Sequence, residues 1–124
     1  MGSNGSVIGW KLDRDQRREL LERFEPQYAE PVADHVTLEV GARAKRLPDP
    51  VKAAIVGRSD DGQGVQAMVV TIDGTTDRPD GSTYHITWSL AHDRKAKENN
   101  DVIREKGWSR IDPPIPVKLE PARF

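Results

Sequence analysis

Two short segments of this 124-residue chain repeat one pattern: a histidine, an apolar residue, a threonine and a second apolar residue. These two tetrads are HVTL at 35–38 and HITW at 85–88. Alternation of polar and apolar residues is the period of a β-strand, in which residues i and i+2 share a face. Each tetrad therefore predicts a half-buried strand, with histidine and threonine on one face. The apolar pair, including Trp88, is expected to pack in the core.

The remaining chain predicts an α+β domain. Runs rich in apolar residues predict further strands at 7–12, 51–59, 65–72 and 115–120, and DDGQG joins the second and third of these as a hairpin. Asp13 followed by Gln16 resembles a capping box and predicts a helix to Phe24. A second helix is predicted from Asp93 to Gly107. The order β-α-β-β-β-β-α-β is typical of a mostly antiparallel α+β fold, and prolines place 115–120 at a sheet edge.

Composition limits the classes of function. Charged residues make up 31% of the chain and the net charge is −1, so nothing overall attracts nucleic acid or an anionic membrane. The length fits one domain over 1–124, with polar residues 1–6 expected to be flexible. The absence of cysteine excludes disulfides and thiolate metal ligands. With no long apolar run and no signal-peptide pattern, we expect a cytoplasmic protein that does not enter a membrane.

The polar face of the tetrads suits phosphodiester chemistry. If the two strands are neighbours, one groove holds two imidazoles and two hydroxyls. A neutral imidazole can take a proton and a protonated one can give a proton, and both forms coexist near neutral pH. The hydroxyls can donate to non-bridging phosphate oxygens, where charge must be held.

Other chemistries fit the sequence less well. Two histidines on separate strands lack a third zinc ligand. The aspartates of 73–80 do not have calcium-loop spacing, and neither a glycine-rich phosphate loop nor a nucleophile elbow is present. We therefore expect no metal and no cofactor. A lone His-x-Thr in a strand is most often structural, so a domain in which the tetrads coincide by chance stays open.

Several residues outside the tetrads are candidates for substrate contact. Tyr28 precedes the first tetrad and could stack on a base or pack within its loop. Arg43 and Lys45 belong to a basic stretch that could attract phosphate or remain solvated. Asn99 and Asn100 are unusual within a helix; one of them could contact ligand, although we expect them on the exposed helix face.

The ordered pair of tetrads resembles the signature of the two-histidine (2H) phosphoesterase superfamily. The flanking sequence extends the likeness to about residues 10–108. LLERFEPQYAEPVADHVTLEVG at 20–41 resembles the approach to the first motif in the cyclic phosphodiesterase module of tRNA ligases. YHITWSLAHDRKAKENNDVI at 84–103 is similar to the second motif of that module and the segment after it.

The resemblance implies a bilobal α+β fold with pseudo-twofold symmetry and a central cleft. It implies metal-independent hydrolysis of 2′,3′-cyclic phosphates on RNA 3′ ends or nucleotides, with a 2′-phosphate as product. By position, His35 and His85 become the acid–base pair, and Thr37 and Thr87 become phosphate ligands. The chain is short for this superfamily, so the cleft is expected to be open. We expect a monomer.

Two other functions remain open. An enzyme of the same fold that acts on 2′–5′ oligonucleotides or cyclic signalling nucleotides would need the same proton transfers. A non-catalytic module could hold RNA ends that carry a cyclic phosphate, although binding alone needs no titrating pair. The sequence does not distinguish the histidine that acts as base from the one that acts as acid.

Overall fold

The computed structural model describes residues 6–42 and 45–124. The predicted flexible segment, 1–6, lies outside this range except for Ser6, whose carbonyl accepts a hydrogen bond from the Ala42 N–H at 2.7 Å. Within the described ranges, neither helix is long and apolar enough to cross a membrane.

The helices are α1 (Arg14–Arg23) and α2 (Glu98–Lys106). The strands are β1 (Ile8–Leu12), β2 (Glu30–Pro31), β3 (His35–Glu39), β4 (Ala53–Asp60), β5 (Val65–Ile72), β6 (His85–Leu90), β7 (Ser109–Val117) and β8 (Leu119–Arg123).

The strands form one strongly curled antiparallel sheet, a half-barrel, which confirms the predicted α+β class. Their order is β7-β4-β5-β6-β3-β1-β8, and β2 pairs with β6 in addition. The two ends of this order, β7 and β8, are separated in the chain by Lys118 alone. The chain therefore passes directly from one sheet edge to the other. The predicted edge position of residues 115–120 is confirmed.

The main core is built from the apolar residues of the alternating strands. Val36, Ile86 and Trp88 are completely buried, as the tetrad pattern predicts, and they pack in the main cluster with Met68. The indole N–H of Trp88 donates to the Phe24 carbonyl at 2.7 Å, which satisfies its polar atom inside the core. The apolar residues of both tetrads thus anchor β3 and β6.

Helix α1 begins as predicted, although only half of the capping box forms. The Asp13 carboxylate accepts from the Gln16 N–H at 3.0 Å. The Gln16 side chain does not return to Asp13. It donates instead to the Pro116 carbonyl at 2.8 Å and accepts from the Lys118 N–H at 2.6 Å. A contact with the C-terminal strands therefore replaces the local one.

Helix α2 begins at Glu98, so the predicted start at Asp93 is wrong. Arg94 lies 2.9 Å from the Asp61 carboxylate in the β4–β5 turn, and this long-range ion pair holds the segment in turns. Tertiary contact here outweighs local helix propensity. The helix does end at Gly107, where φ is +72°.

Residues 115–120 form parts of two strands instead of the one predicted. Lys118 lies between them because its carbonyl accepts from the Asp13 N–H at 3.0 Å and its N–H donates to Gln16. Those bonds turn its backbone away from the sheet ladder. The short strand β2 also lies in a segment predicted as loop, where it pairs with β6.

Candidate active site

The two tetrads begin neighbouring strands and face each other. Val36 of β3 pairs with Ile86 of β6 in antiparallel register. The residues that flank this pair in each tetrad, a histidine and a threonine, lie on the opposite face of the sheet because side chains alternate along a strand. One cleft is lined by all four predicted residues: His35, Thr37, His85 and Thr87.

The cleft has a volume of about 360 Å³, which is near the lower end for ligand sites. Its remaining lining divides by chemistry into an apolar group and a polar group. The apolar residues are Val7, Val40, Ala96 and Phe124, and the polar residues are Arg78, Lys97 and Asn100. A surface hollow beside Val51 reaches about 480 Å³, so volume does not single out this cleft. The convergence of the tetrads does.

The surroundings of His85 favour its neutral imidazole. Its Nδ1 lies 2.9 Å from the Thr83 carbonyl, which requires a proton on Nδ1 and leaves Nε2 as the acceptor. Burial lowers the pKa of His85. The charges of Arg78 and His35 lower this pKa further and, together with burial, outweigh the opposing hydrogen bond to Thr83. The surroundings of His85 suit a general base.

His35 has a carboxylate as its partner. Its Nδ1 lies 3.0 Å from Asp34, and its side chain is 33% exposed. Burial alone would raise the pKa of Asp34, but the hydrogen bond and charge of His35, with the charge of Arg14 at 3.1 Å, lower it overall. The ionised carboxylate accepts from Nδ1–H and fixes the orientation of the His35 ring, and because the surroundings of His85 suit the base, His35 is the candidate for the general acid. The Phe124 ring packs 4.2 Å from the imidazole, centroid to centroid.

Thr87 receives a hydrogen bond that fixes the direction of its own. The Asn99 side-chain amide donates to the Thr87 hydroxyl at 2.9 Å. Because the oxygen accepts there, the hydroxyl proton remains available to donate into the cleft. Asn99 is 0% exposed, so its predicted place on the outer face of the helix is wrong. Helix α2 turns this residue towards β6, and Asn100 lines the cleft.

Arg78 is a cleft residue that the sequence did not single out. It lies between β5 and β6, is 8% exposed and donates to Asp80 at 2.5 Å. Its one sequence signal is that it stands alone as a basic residue in an aspartate-rich stretch, 60–80. That signal predicts a partnered guanidinium but gives no position for it.

Two of the other predicted contacts, Tyr28 and Lys45, do not line the cleft. The Tyr28 hydroxyl donates to Asp60 at 2.5 Å. The Lys45 ammonium lies 2.6 Å from Glu39. Arg43 lies outside the described residues. The structure therefore brings together the four tetrad residues and leaves Tyr28 and Lys45 elsewhere.

The donor set of the cleft is not that of a metal centre. In the part of the chain that the structure describes, no group of three histidine, aspartate or glutamate side chains is placed to hold a metal ion. The cleft groups near His35 and His85 are instead hydroxyls, an amide and cations.

Comparison of the chain with protein-family models, with curated proteins and with solved structures gives no match. The case for a function depends on the cleft residues and their geometry.

Proposed function

We propose that the protein is a metal-independent phosphodiesterase that opens 2′,3′-cyclic phosphates on RNA ends or nucleotides by acid–base catalysis between two histidines. One observation carries this function. The two tetrads, whose histidines are at positions 35 and 85, meet on adjacent strands and contribute four side chains to one cleft. Packing of the strands requires only the apolar residues of each tetrad. It does not require a histidine and a threonine at equivalent positions in both tetrads.

The surroundings of the two imidazoles assign their roles in this proposal. Nε2 of His85 takes a proton from a water molecule, and the water oxygen forms a new bond to phosphorus. The bond from phosphorus to one ribose oxygen breaks, and His35 gives that oxygen a proton. Two groups in opposite protonation states can perform these transfers in one step. Solvent then returns both histidines to their starting states.

The hydroxyls and the cleft cations stabilise the charge that develops on phosphate. The Thr87 hydroxyl can donate because Asn99 occupies its acceptor site. Thr37 also lines the cleft and offers a second hydroxyl. Preorganised donors of this kind stabilise charge without rearranging during the reaction. Lys97 adds a positive charge to the cleft lining.

The strand order supports the finer fold features expected of a 2H phosphoesterase. Strands β3 and β6 are adjacent, and β1 and β5 flank them on their other sides. Val36 and Ile86 occupy the same position in their tetrads and pair with each other. A twofold axis between the central strands would produce this pairing. A bilobal shape, a 2′-phosphate product, a monomeric state and a cytoplasmic location belong to the same proposal.

The function is tested by incubating 2′,3′-cyclic AMP with the protein in EDTA and separating 2′-AMP from 3′-AMP. We expect the wild type to form 2′-AMP and His35→Ala/His85→Ala to form none. His92→Ala is the matched control, because His92 is 97% exposed and lies outside the cleft. Equal turnover by the double variant would contradict the proposal. Binding without turnover by the wild type would favour the non-catalytic module.

A further inference from the structure

Arg78 is a buried cation in the wall of the cleft, although it lies in a loop. Its side chain is 8% exposed. The guanidinium donates to the Asp80 carboxylate, while its Nε–H has no acceptor within residues 6–42 and 45–124. A guanidinium carries five N–H donors in a planar fork, and burial makes an unmade hydrogen bond costly. The protein has therefore placed an incompletely satisfied cation beside His85.

The loop holds this guanidinium in a fixed place. The Asp80 carboxylate also accepts from the backbone N–H and the hydroxyl of Ser82, at 2.9 and 2.6 Å. The backbone N–H of Arg78 donates to the Ser82 carbonyl at 2.9 Å. The hydrogen bond from Arg78, with those from Ser82, holds the pKa of Asp80 well below its usual range despite the opposing effect of burial. Asp80 therefore remains ionised and anchors one edge of the guanidinium.

The position and chemistry of Arg78 match a phosphate group in the cleft. Planar guanidinium groups bind phosphate oxygens through paired hydrogen bonds, with more geometric specificity than an ammonium group. Arg78 lines the same cleft as the two histidines and two threonines. It is also close enough to His85 for its charge to affect that imidazole. A phosphate between the histidines would lie within reach of this loop.

We propose that Arg78 binds the phosphate of the substrate and that Asp80 is the residue that positions it. This role rests on the proposed phosphodiesterase function. It implies that the two non-bridging oxygens of the substrate phosphate face the β5–β6 loop. It further implies that inorganic phosphate and the phosphomonoester product compete with substrate.

The test compares Arg78→Gln and Arg78→Lys with wild type. The kinetic readouts are KM and kcat for 2′,3′-cyclic AMP, and the binding readout is the Kd of inorganic phosphate measured by calorimetry. Loss of a charge-assisted hydrogen bond should raise KM and Kd roughly 10- to 100-fold in Arg78→Gln. Arg78→Lys keeps the charge without the fork and should fall between the two. Arg18→Gln is the matched control, since Arg18 also pairs with an aspartate, Asp15 at 3.4 Å, but is exposed on α1.

The positioning role of Asp80 has its own readout. Asp80→Asn should raise KM while kcat stays nearly unchanged, because the guanidinium loses its anchor and the histidines do not change. Asp80→Glu keeps the carboxylate and should restore part of the affinity. If Asp80→Asn and Asp80→Glu lower the melting temperature equally and leave KM unchanged, the positioning role of Asp80 is overturned.

The possible failures are distinguishable. A wild type that turns over substrate, with the same KM and phosphate Kd in Arg78→Gln, would overturn the role of Arg78 and leave the activity standing. A wild type without turnover, whose phosphate binding still depends on Arg78, would remove the activity and support the phosphate site. If Arg78→Gln does not fold, Arg78→Lys decides, and a wild-type Kd in that variant would overturn the role.

Discussion

The two tetrads have the same sequence pattern but different surroundings. His35 is one-third exposed and lies against a carboxylate, Asp34. His85 is bonded to the Thr83 carbonyl and lies near the guanidinium of Arg78. At His35 a carboxylate fixes the orientation of the ring, whereas at His85 burial and a nearby cation favour the neutral imidazole. Each tetrad therefore places an imidazole in the cleft, whereas the surrounding residues determine the chemistry available to that imidazole.

The same contrast extends to the rest of the cleft. Next to the first tetrad, the acidic residue Asp34 directly precedes the histidine in sequence. Next to the second tetrad lie the side-chain amide of Asn99, from α2, and the guanidinium of Arg78, from the β5–β6 loop. A carboxylate therefore contacts the proposed acid, whereas a cation lies near the proposed base and an amide donates to Thr87.

The largest expected effect comes from removing either of the two cleft histidines. His35→Ala and His85→Ala should each lower kcat on 2′,3′-cyclic AMP by roughly 10²- to 10⁴-fold, the usual worth of a positioned acid or base. The double variant should lose little more than either single variant, because both groups act in one step. Steady-state kinetics would check this, with His92→Ala as the control. Full activity in either single variant would exclude the mechanism.

A smaller effect is expected from making the two histidines more alike. Asp34→Asn removes the carboxylate that accepts from His35 Nδ1 and orients its ring, so kcat should fall roughly 10-fold, the size of a lost charge-assisted hydrogen bond. Asp15→Asn, which removes an exposed carboxylate of α1, is the control. A wild-type kcat in Asp34→Asn would show that Asp34 does not support the acid.

Asn99→Ala sharpens the comparison between the two threonines. It leaves the buried Thr87 hydroxyl without its donor, and we expect the free energy of unfolding to fall by about 1–3 kcal/mol. Turnover should fall more modestly. In a Thr87→Val background, Asn99→Ala should change turnover no further, since the shared bond is already lost. Thermal denaturation and kinetics of the four proteins would measure both effects, and additive losses in turnover would contradict the coupling.

The smallest effect is expected at Tyr28, which belongs to neither side of the cleft. Tyr28→Phe removes the hydrogen bond to Asp60, a partly exposed contact worth about 1 kcal/mol or less. We expect kcat/KM to stay at the wild-type value. A clear rise in KM would mean that Tyr28 reaches the substrate as the sequence suggested.

Local periodicity was enough to predict the faces of the tetrads. Because side chains alternate along a strand, Val36, Ile86 and Trp88 could be assigned to the core and the histidines to the opposite face. The start of α1 was equally local, since Asp13 caps a residue three positions later. These features depend on neighbours in sequence, and they include every tetrad residue of the cleft.

The missed features depend on contacts between distant segments. Asn99 is buried because α2 packs on the sheet and meets Thr87, which no helical pattern indicates. Arg78 lies in a turn-rich loop without periodicity, so its burial follows only from where the loop lies. The start of α2 was misplaced for the same reason, since Arg94 pairs with Asp61 of another turn.

The pH dependence of kcat/KM for 2′,3′-cyclic AMP, measured in EDTA, tests the two-histidine account most directly. His85 acts as base only when neutral, so the rate rises with pH through its pKa, which burial and the charge of Arg78 lower below the ordinary 6.5. We predict a bell-shaped profile whose acid limb lies below pH 6.5 and whose alkaline limb reports loss of the acid's proton. A flat profile, an acid limb above pH 6.5, or loss of activity in EDTA would contradict the account.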